Sequence, residues 1–131
     1  MGSIHAYTLI VVDDDGAYRR TVVEALVSGG YHCVEAGSGT EAVGRLRFGS
    51  ETVHGLLLDM FLGDMTGADL LTMANREIGH RPCILMSGRT EESVERMARD
   101  AGAFTFLKKP FPLDLLRAQV ASMFETGEHF A

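Results

Sequence analysis

Five short apolar runs punctuate this chain at nearly even intervals: "YTLIVV", "YHCVEA", "GLLLD", "PCILMS" and "FTFLK". Runs that are apolar throughout, rather than at alternate residues, mark strands buried on both faces, as in parallel sheets. A segment of helical period follows each run. Between Ala17 and Ser28, Val22, Val23, Leu26 and Val27 share one face. Leu70, Leu71, Ala74 and Ile78 do so after the third run, and Val94, Met97, Ala98 and Ala101 after the fourth. Leu113, Leu116, Val120 and Phe124 follow the fifth, while the segment after the second, Thr40 to Phe48, is shorter. Parallel strands require crossover connections, so this alternation predicts an α/β sandwich with right-handed crossovers.

With 131 residues and no Pro- or Ser-rich linker, the chain is expected to form one domain over 1–131, with its core at about 7–124 and a frayed tail, "ETGEHFA", over 125–131. A net charge of −6 argues against nonspecific nucleic-acid binding. No apolar stretch approaches the roughly 18 residues that span a membrane. The start, "MGSIHAYT", has no basic-then-apolar pattern, and Ala6 stands where an acylation motif wants Ser or Thr. The cytoplasm is the expected location. The scattered histidines are expected mostly at the surface.

In open parallel sheets, ligands bind beyond the carboxyl ends of the strands. Those ends carry Asp13, Asp14 and Asp15; Gly37 to Gly39; Asp59; Ser87; and Lys108 with Lys109. Two carboxylates about 4 Å apart repel by roughly 4 kcal/mol at an effective dielectric near 20. A divalent cation turns such clustering favourable, and Mg²⁺ needs only one or two direct carboxylates. Each signal alone has a simpler reading. One aspartate of the three can cap the following helix, and Asp15 is the expected cap. Asp59 and Ser87-Gly88 suit turns, Lys108 and Lys109 suit a solvated pair, and Phe106 suits the core.

In combination, "VVDDD", "LLLDM", "MSG" and "LKKPF", in this order on these strand ends, resemble the receiver domain of bacterial two-component response regulators. The resemblance extends from about Tyr7 to Phe124. It implies a flavodoxin-like (βα)5 three-layer sandwich with a parallel sheet in the order 2-1-3-4-5. It implies that Asp59 is the phosphoacceptor, with Asp14 the main carboxylate ligand of Mg²⁺ (or Mn²⁺) and Asp13 a ligand through water. By the same resemblance, Asp59 and the backbone carbonyl of Phe61 would complete the metal set. Ser87 would hydrogen-bond the phosphoryl group, Lys109 would pair with it, and Ser87 and Phe106 would form the switch. A cis Lys109–Pro110 bond is expected, which helps aim the lysine. In that strand order Cys33 and Cys83 lie three strands apart, roughly 14 Å, too far for a disulfide.

The partners so implied are a sensor histidine kinase or histidine phosphotransfer protein, plus a downstream target protein that the residues do not name. No direct contact with nucleic acid or membrane is expected, and the chain is expected to be a monomer or weak homodimer. With no output domain in the sequence, a stand-alone receiver acting through a partner is expected. It would catalyse only its own phosphorylation and dephosphorylation. Departures from the family pattern include Gly63 for the usual proline, which frees the loop after Asp59, and Gly88 after Ser87. Phe61 and Arg89, each two residues past a site residue, are expected to shield the acyl phosphate and slow its hydrolysis. Three other readings stay open. "GSGTEA", Gly37 to Ala42, fits a nucleotide-binding loop with Asp59 as a ribose-binding acid. An aspartate-nucleophile phosphatase is the second, although Phe61 stands where such enzymes resembling dehalogenases carry an acid. A non-catalytic flavodoxin-like scaffold is the third.

Overall fold

The computed structural model describes residues 6–89 and 91–126. Each apolar run is a strand: β1 (Thr8–Val12), β2 (His32–Ala36), β3 (Gly55–Asp59), β4 (Cys83–Ser87) and β5 (Thr105–Lys108). The helices between them are α1 (Gly16–Ser28), α2 (Gly39–Phe48), α3 (Gly67–Glu77), α4 (Glu92–Asp100) and α5 (Leu113–Thr126). All strand pairs are parallel and the sheet order is β2-β1-β3-β4-β5, as the resemblance implied. The Lys109–Pro110 bond is cis.

The strands' two-residue period separates the core into two faces. Leu9, Val11, Leu57, Ile84 and Met86 point to one side and pack against Val22, Val23 and Leu26 of α1 and Leu116, Val120 and Met123 of α5. Ile10, Val12, Leu56, Leu58 and Leu85 point to the other and meet α2, α3 and α4 through Ala42, Leu70, Leu71, Ala74, Val94 and Ala98. This is a three-layer sandwich.

The structure corrects several local expectations. Only the three inner strands are buried along their whole length. In β2 and β5, which have no neighbour on one side, only Ala36 and Leu107 are buried. Val27 is 53% exposed, and Ala25 is buried in its stead. At roughly 100° per residue Val27 stands about 140° round from Val22, off the stripe that faces the sheet. Met123 joins the core of α5, which continues through Thr126, past the point where a frayed tail was expected to begin. The rest of that tail, 127–131, lies outside the described residues, as do His5 and His129. His32 and His80 are exposed, but His54 is half-buried, and its Nδ1 accepts the Thr8 N–H at 2.9 Å.

Candidate functional site

The strand register converges the chemistry at one end of the sheet. Asp13 follows the last residue of β1, and its N–H donates to the Ala36 carbonyl of β2. Asp59 ends β3 opposite Met86, and Ser87 ends β4 opposite Lys108. The Lys109 N–H then donates to the Ser87 carbonyl at 2.8 Å. Lys109 therefore turns back over the sheet, while Lys108 stays exposed.

The Lys109 ammonium donates to Asp13 Oδ2 at 2.7 Å and to Asp59 Oδ2 at 3.0 Å. Asp13 is fully buried, Asp59 is buried and Lys109 is half-buried. One cation thus holds two acids that would otherwise repel at short range. Burial alone would lower the lysine's pKa, but its bonds to Asp13 and Asp59 outweigh it and raise the value. Asp59 lies above the ordinary aspartate value, chiefly through burial and with a contribution from Asp13, against the pull of Lys109.

The two carboxylates are not equivalent. Both Asp13 oxygens are engaged, because Oδ1 accepts the Asp15 N–H at 3.0 Å. Among the described residues, Asp59 Oδ1 receives only a long 3.4 Å contact, from the Phe61 N–H. Its lone pairs are the less committed ones. Asp14 is exposed, and one oxygen from each of Asp13, Asp14 and Asp59 lies within 4.8 Å of the others. Three hard oxygen donors at that spacing fit Mg²⁺ or Mn²⁺. Asp15 is the N-cap of α1 and accepts the Tyr18 N–H at 3.1 Å, so it stands apart from this cluster as expected.

Ser87 is buried, and its Oγ accepts the Arg89 N–H at 3.0 Å. Phe106 is half-buried against the face covered by α2, α3 and α4. Arg89 does not fold into the acids. Its guanidinium stacks over the Phe61 ring at 4.6 Å and reaches Glu91 at 3.3 Å. Cys33 and Cys83 are free thiols, the first raised to about 11 by burial, with a further contribution from Glu35.

Four residues with no expected role support the site. Arg19 donates to the Asp13 carbonyl at 2.6 Å while pairing with Glu35 at 3.0 Å, which ties the acidic turn to β2. Tyr18 faces the Lys109 ammonium. Asp64 receives the N–H groups of Gly39 and Thr40 and the Thr40 hydroxyl at 2.8–3.0 Å. A Cβ at Gly67 would overlap the Asp59 carbonyl oxygen. Of these, Asp64 carries a sequence signal, an acid in a loop following the site residue, but its partner is 24 residues away.

Asp64 also corrects two readings. The loop after Asp59 was expected to be freed by Gly63. Gly63 does take a φ of +87°, which proline cannot, but the loop is anchored onto α2 one residue later. In the "GSGTEA" loop, the Gly37 N–H donates to Glu41 and those of Gly39 and Thr40 to Asp64. Two carboxylates hold the amides that a pyrophosphate would need, so the nucleotide reading gains no support.

Residues 9–121 match the model of the response regulator receiver domain. The chain belongs to that family. Among curated relatives, this receiver domain is 33% identical to the sensor kinase CckA of Brucella abortus over 90% of the chain and 12% of that protein. It is also 33% identical to the transcriptional regulator NtrC of Salmonella typhimurium, over 79% of the chain and 22% of that protein. The chain therefore spans less than a quarter of the length of either relative. Among solved structures, a receiver domain from Methanospirillum hungatei superposes with a TM-score of 0.84 at 23% identity, covering 92% of this chain and 95% of that one. The receiver domain of NarL from Mycobacterium tuberculosis does so at 0.84 and 25% identity, covering 94% and 99%.

Proposed function

We propose that Asp59 takes a phosphoryl group from a phosphohistidine, on a sensor kinase or histidine phosphotransfer protein, or from a small donor such as acetyl phosphate. The observation that carries this reading is the asymmetric pair at Lys109, with Asp13 engaged on both oxygens and Asp59 Oδ1 nearly free. An Asp59 oxygen attacks phosphorus and forms the new P–O bond. The bond from phosphorus to the donor nitrogen or oxygen breaks, and its electron pair leaves with the donor. Lys109 supplies a fixed positive charge to the transferred oxygens, and the buried Ser87 hydroxyl turns to donate to one of them. Asp13, Asp14 and Asp59, with the Phe61 carbonyl, would hold Mg²⁺ or Mn²⁺, which when bound neutralises charge on the phosphoryl oxygens.

In this way the domain speeds its own phosphorylation and dephosphorylation. Recruitment of Ser87 to the phosphoryl group releases the Arg89 N–H, and Phe106 reorients beside it, changing the surface offered to a downstream protein. Every group that receives the phosphoryl group belongs to one chain, so no second copy of this chain is needed. The test is intact mass and site mapping after incubation with acetyl phosphate and Mg²⁺. One phosphoryl group on Asp59 is expected, and none in Asp59→Asn or in excess chelator. Labelling that survives either condition overturns the assignment.

A further inference from the structure

Tyr18 lies in the first turn of α1, three residues past the Asp15 cap, which fixes its place beside the acids. Its ring faces the Lys109 ammonium at 4.6 Å from the centroid. Phe111, two residues after Lys109, packs edge-on against the same ring at 5.9 Å and 82°. The tyrosine is therefore fixed at its base by α1 and at its ring by the Phe111 edge. Its hydroxyl is shielded from solvent and lies toward the Phe111 backbone. The polar end of the side chain takes no part in the hydrogen bonds from Lys109 to the carboxylates, and it is the ring face that meets the ammonium.

An ammonium has three N–H donors. Two of Lys109's go to Asp13 and Asp59. The ring supplies the remaining direction with the negative face of its quadrupole, an attraction that strengthens where water is excluded. It also makes no hydrogen bond that would have to break when the lysine changes partner. Once Asp59 becomes an acyl phosphate, the negative charge that Lys109 follows moves out to the phosphoryl oxygens. Asp13 alone would then draw the ammonium inward, while the ring gives it a surface along which to turn.

We propose that Tyr18 is a positioning residue for phosphoryl transfer, its ring face keeping the Lys109 ammonium aimed at Asp59 and at the group Asp59 receives. The proposal rests on the phosphoacceptor reading above, and its test separates the two. In the unphosphorylated protein, the ring should shift the Lys109 Hε resonances upfield. That shift should persist in Tyr18→Phe and vanish in Tyr18→Leu; ordinary Lys109 shifts in the parent protein overturn the contact whether or not Asp59 accepts phosphate. Rates of Asp59 labelling by acetyl phosphate then test the role. Tyr18→Leu should slow labelling about fivefold, ~1 kcal/mol of barrier, and Tyr18→Phe should restore the rate. In a Lys109→Ala background, Tyr18→Leu should have no further effect. Equal slowing in both backgrounds would mean that Tyr18 acts on the fold and not through the lysine. A parent protein that shows the upfield shift but no labelling would refute the phosphoacceptor reading and with it this role.

Discussion

At Asp59 burial is the largest effect, and together with the charge of Asp13 it disfavours the charged form more than Lys109 favours it. The folded protein therefore binds a proton at this site more tightly than the unfolded chain does. Its contribution to stability is fully present below the ordinary aspartate value of about 3.9 and is lost as pH rises through the raised value. Asp59→Asn should accordingly stabilise the fold in metal-free buffer at pH 7, with Lys109 left paired to Asp13. The gap between variant and parent should be small below pH ~4, widen above it, and level off once Asp59 is ionised in both states. Denaturant melts from pH 3.5 to 8 in chelator measure this directly, and a variant less stable than the parent at pH 7 would contradict it. Lys109 itself should tolerate little. Lys109→Met leaves two buried carboxylates facing each other without a cation, and should cost about 3 kcal/mol in the same buffer.

The elements decide how firmly the acids are held. Gly67 opens α3 with its backbone against the Asp59 carbonyl and Leu85, so an added Cβ meets main chain that cannot move aside. Gly39 opens α2 with the flexible Met65 side chain over it. Both are buried glycines at helix starts, yet they should respond differently. Gly67→Ala is expected to cost about 2–3 kcal/mol by overpacking and Gly39→Ala at most about 1; equal losses in thermal melts would mean that the β3–α3 loop yields as easily as Met65. The Asp64 anchor makes a second claim at this scale. Asp64 sits below its ordinary value because Thr40 and Gly39 donate to its carboxylate. That stabilisation is present above about pH 3.9 and is lost as pH falls through the depressed value. Asp64→Ala should speed amide hydrogen exchange at Gly39 and Thr40 near pH 7 and leave the inner-strand amides unchanged. Unaltered exchange at those two amides would show the anchor to be dispensable.

For the whole molecule, the clustered charges of the site bear on stability. Three acids and one lysine share it, so a bound divalent cation relieves repulsion that the folded state otherwise carries. Mg²⁺ at a hundredfold excess over its dissociation constant should add about 2.7 kcal/mol by mass action, seen as a rise in Tm. Asp14 is exposed and outside the lysine pairs, so Asp14→Ala should abolish most of that rise while leaving the metal-free Tm unchanged or higher. Identical melting of the parent with and without millimolar Mg²⁺ would count against a metal site here.

Strand–helix alternation, the two-sided burial of the inner strands and the placing of Asp13, Asp14, Asp59, Ser87 and Lys109 on strand ends were all legible in the chain. Each follows from local period or from the rule that ligands lie beyond the carboxyl ends of parallel strands. Asp15 as a cap was legible for the same reason, since a cap and its partner are three residues apart. Tertiary structure alone decided the rest. Lys109 joins Asp13 across 96 residues and Asp59 across 50, and no local pattern encodes which carboxylate keeps a free oxygen. Tyr18 looks like one more apolar position on α1 until the turn after β5 lays an ammonium on its ring. Gly63 read as a source of freedom until Asp64, one residue on, found the first turn of α2. Periodicity reports which way a side chain faces relative to its own helix or strand. What it meets there depends on the crossing of elements far apart in the chain.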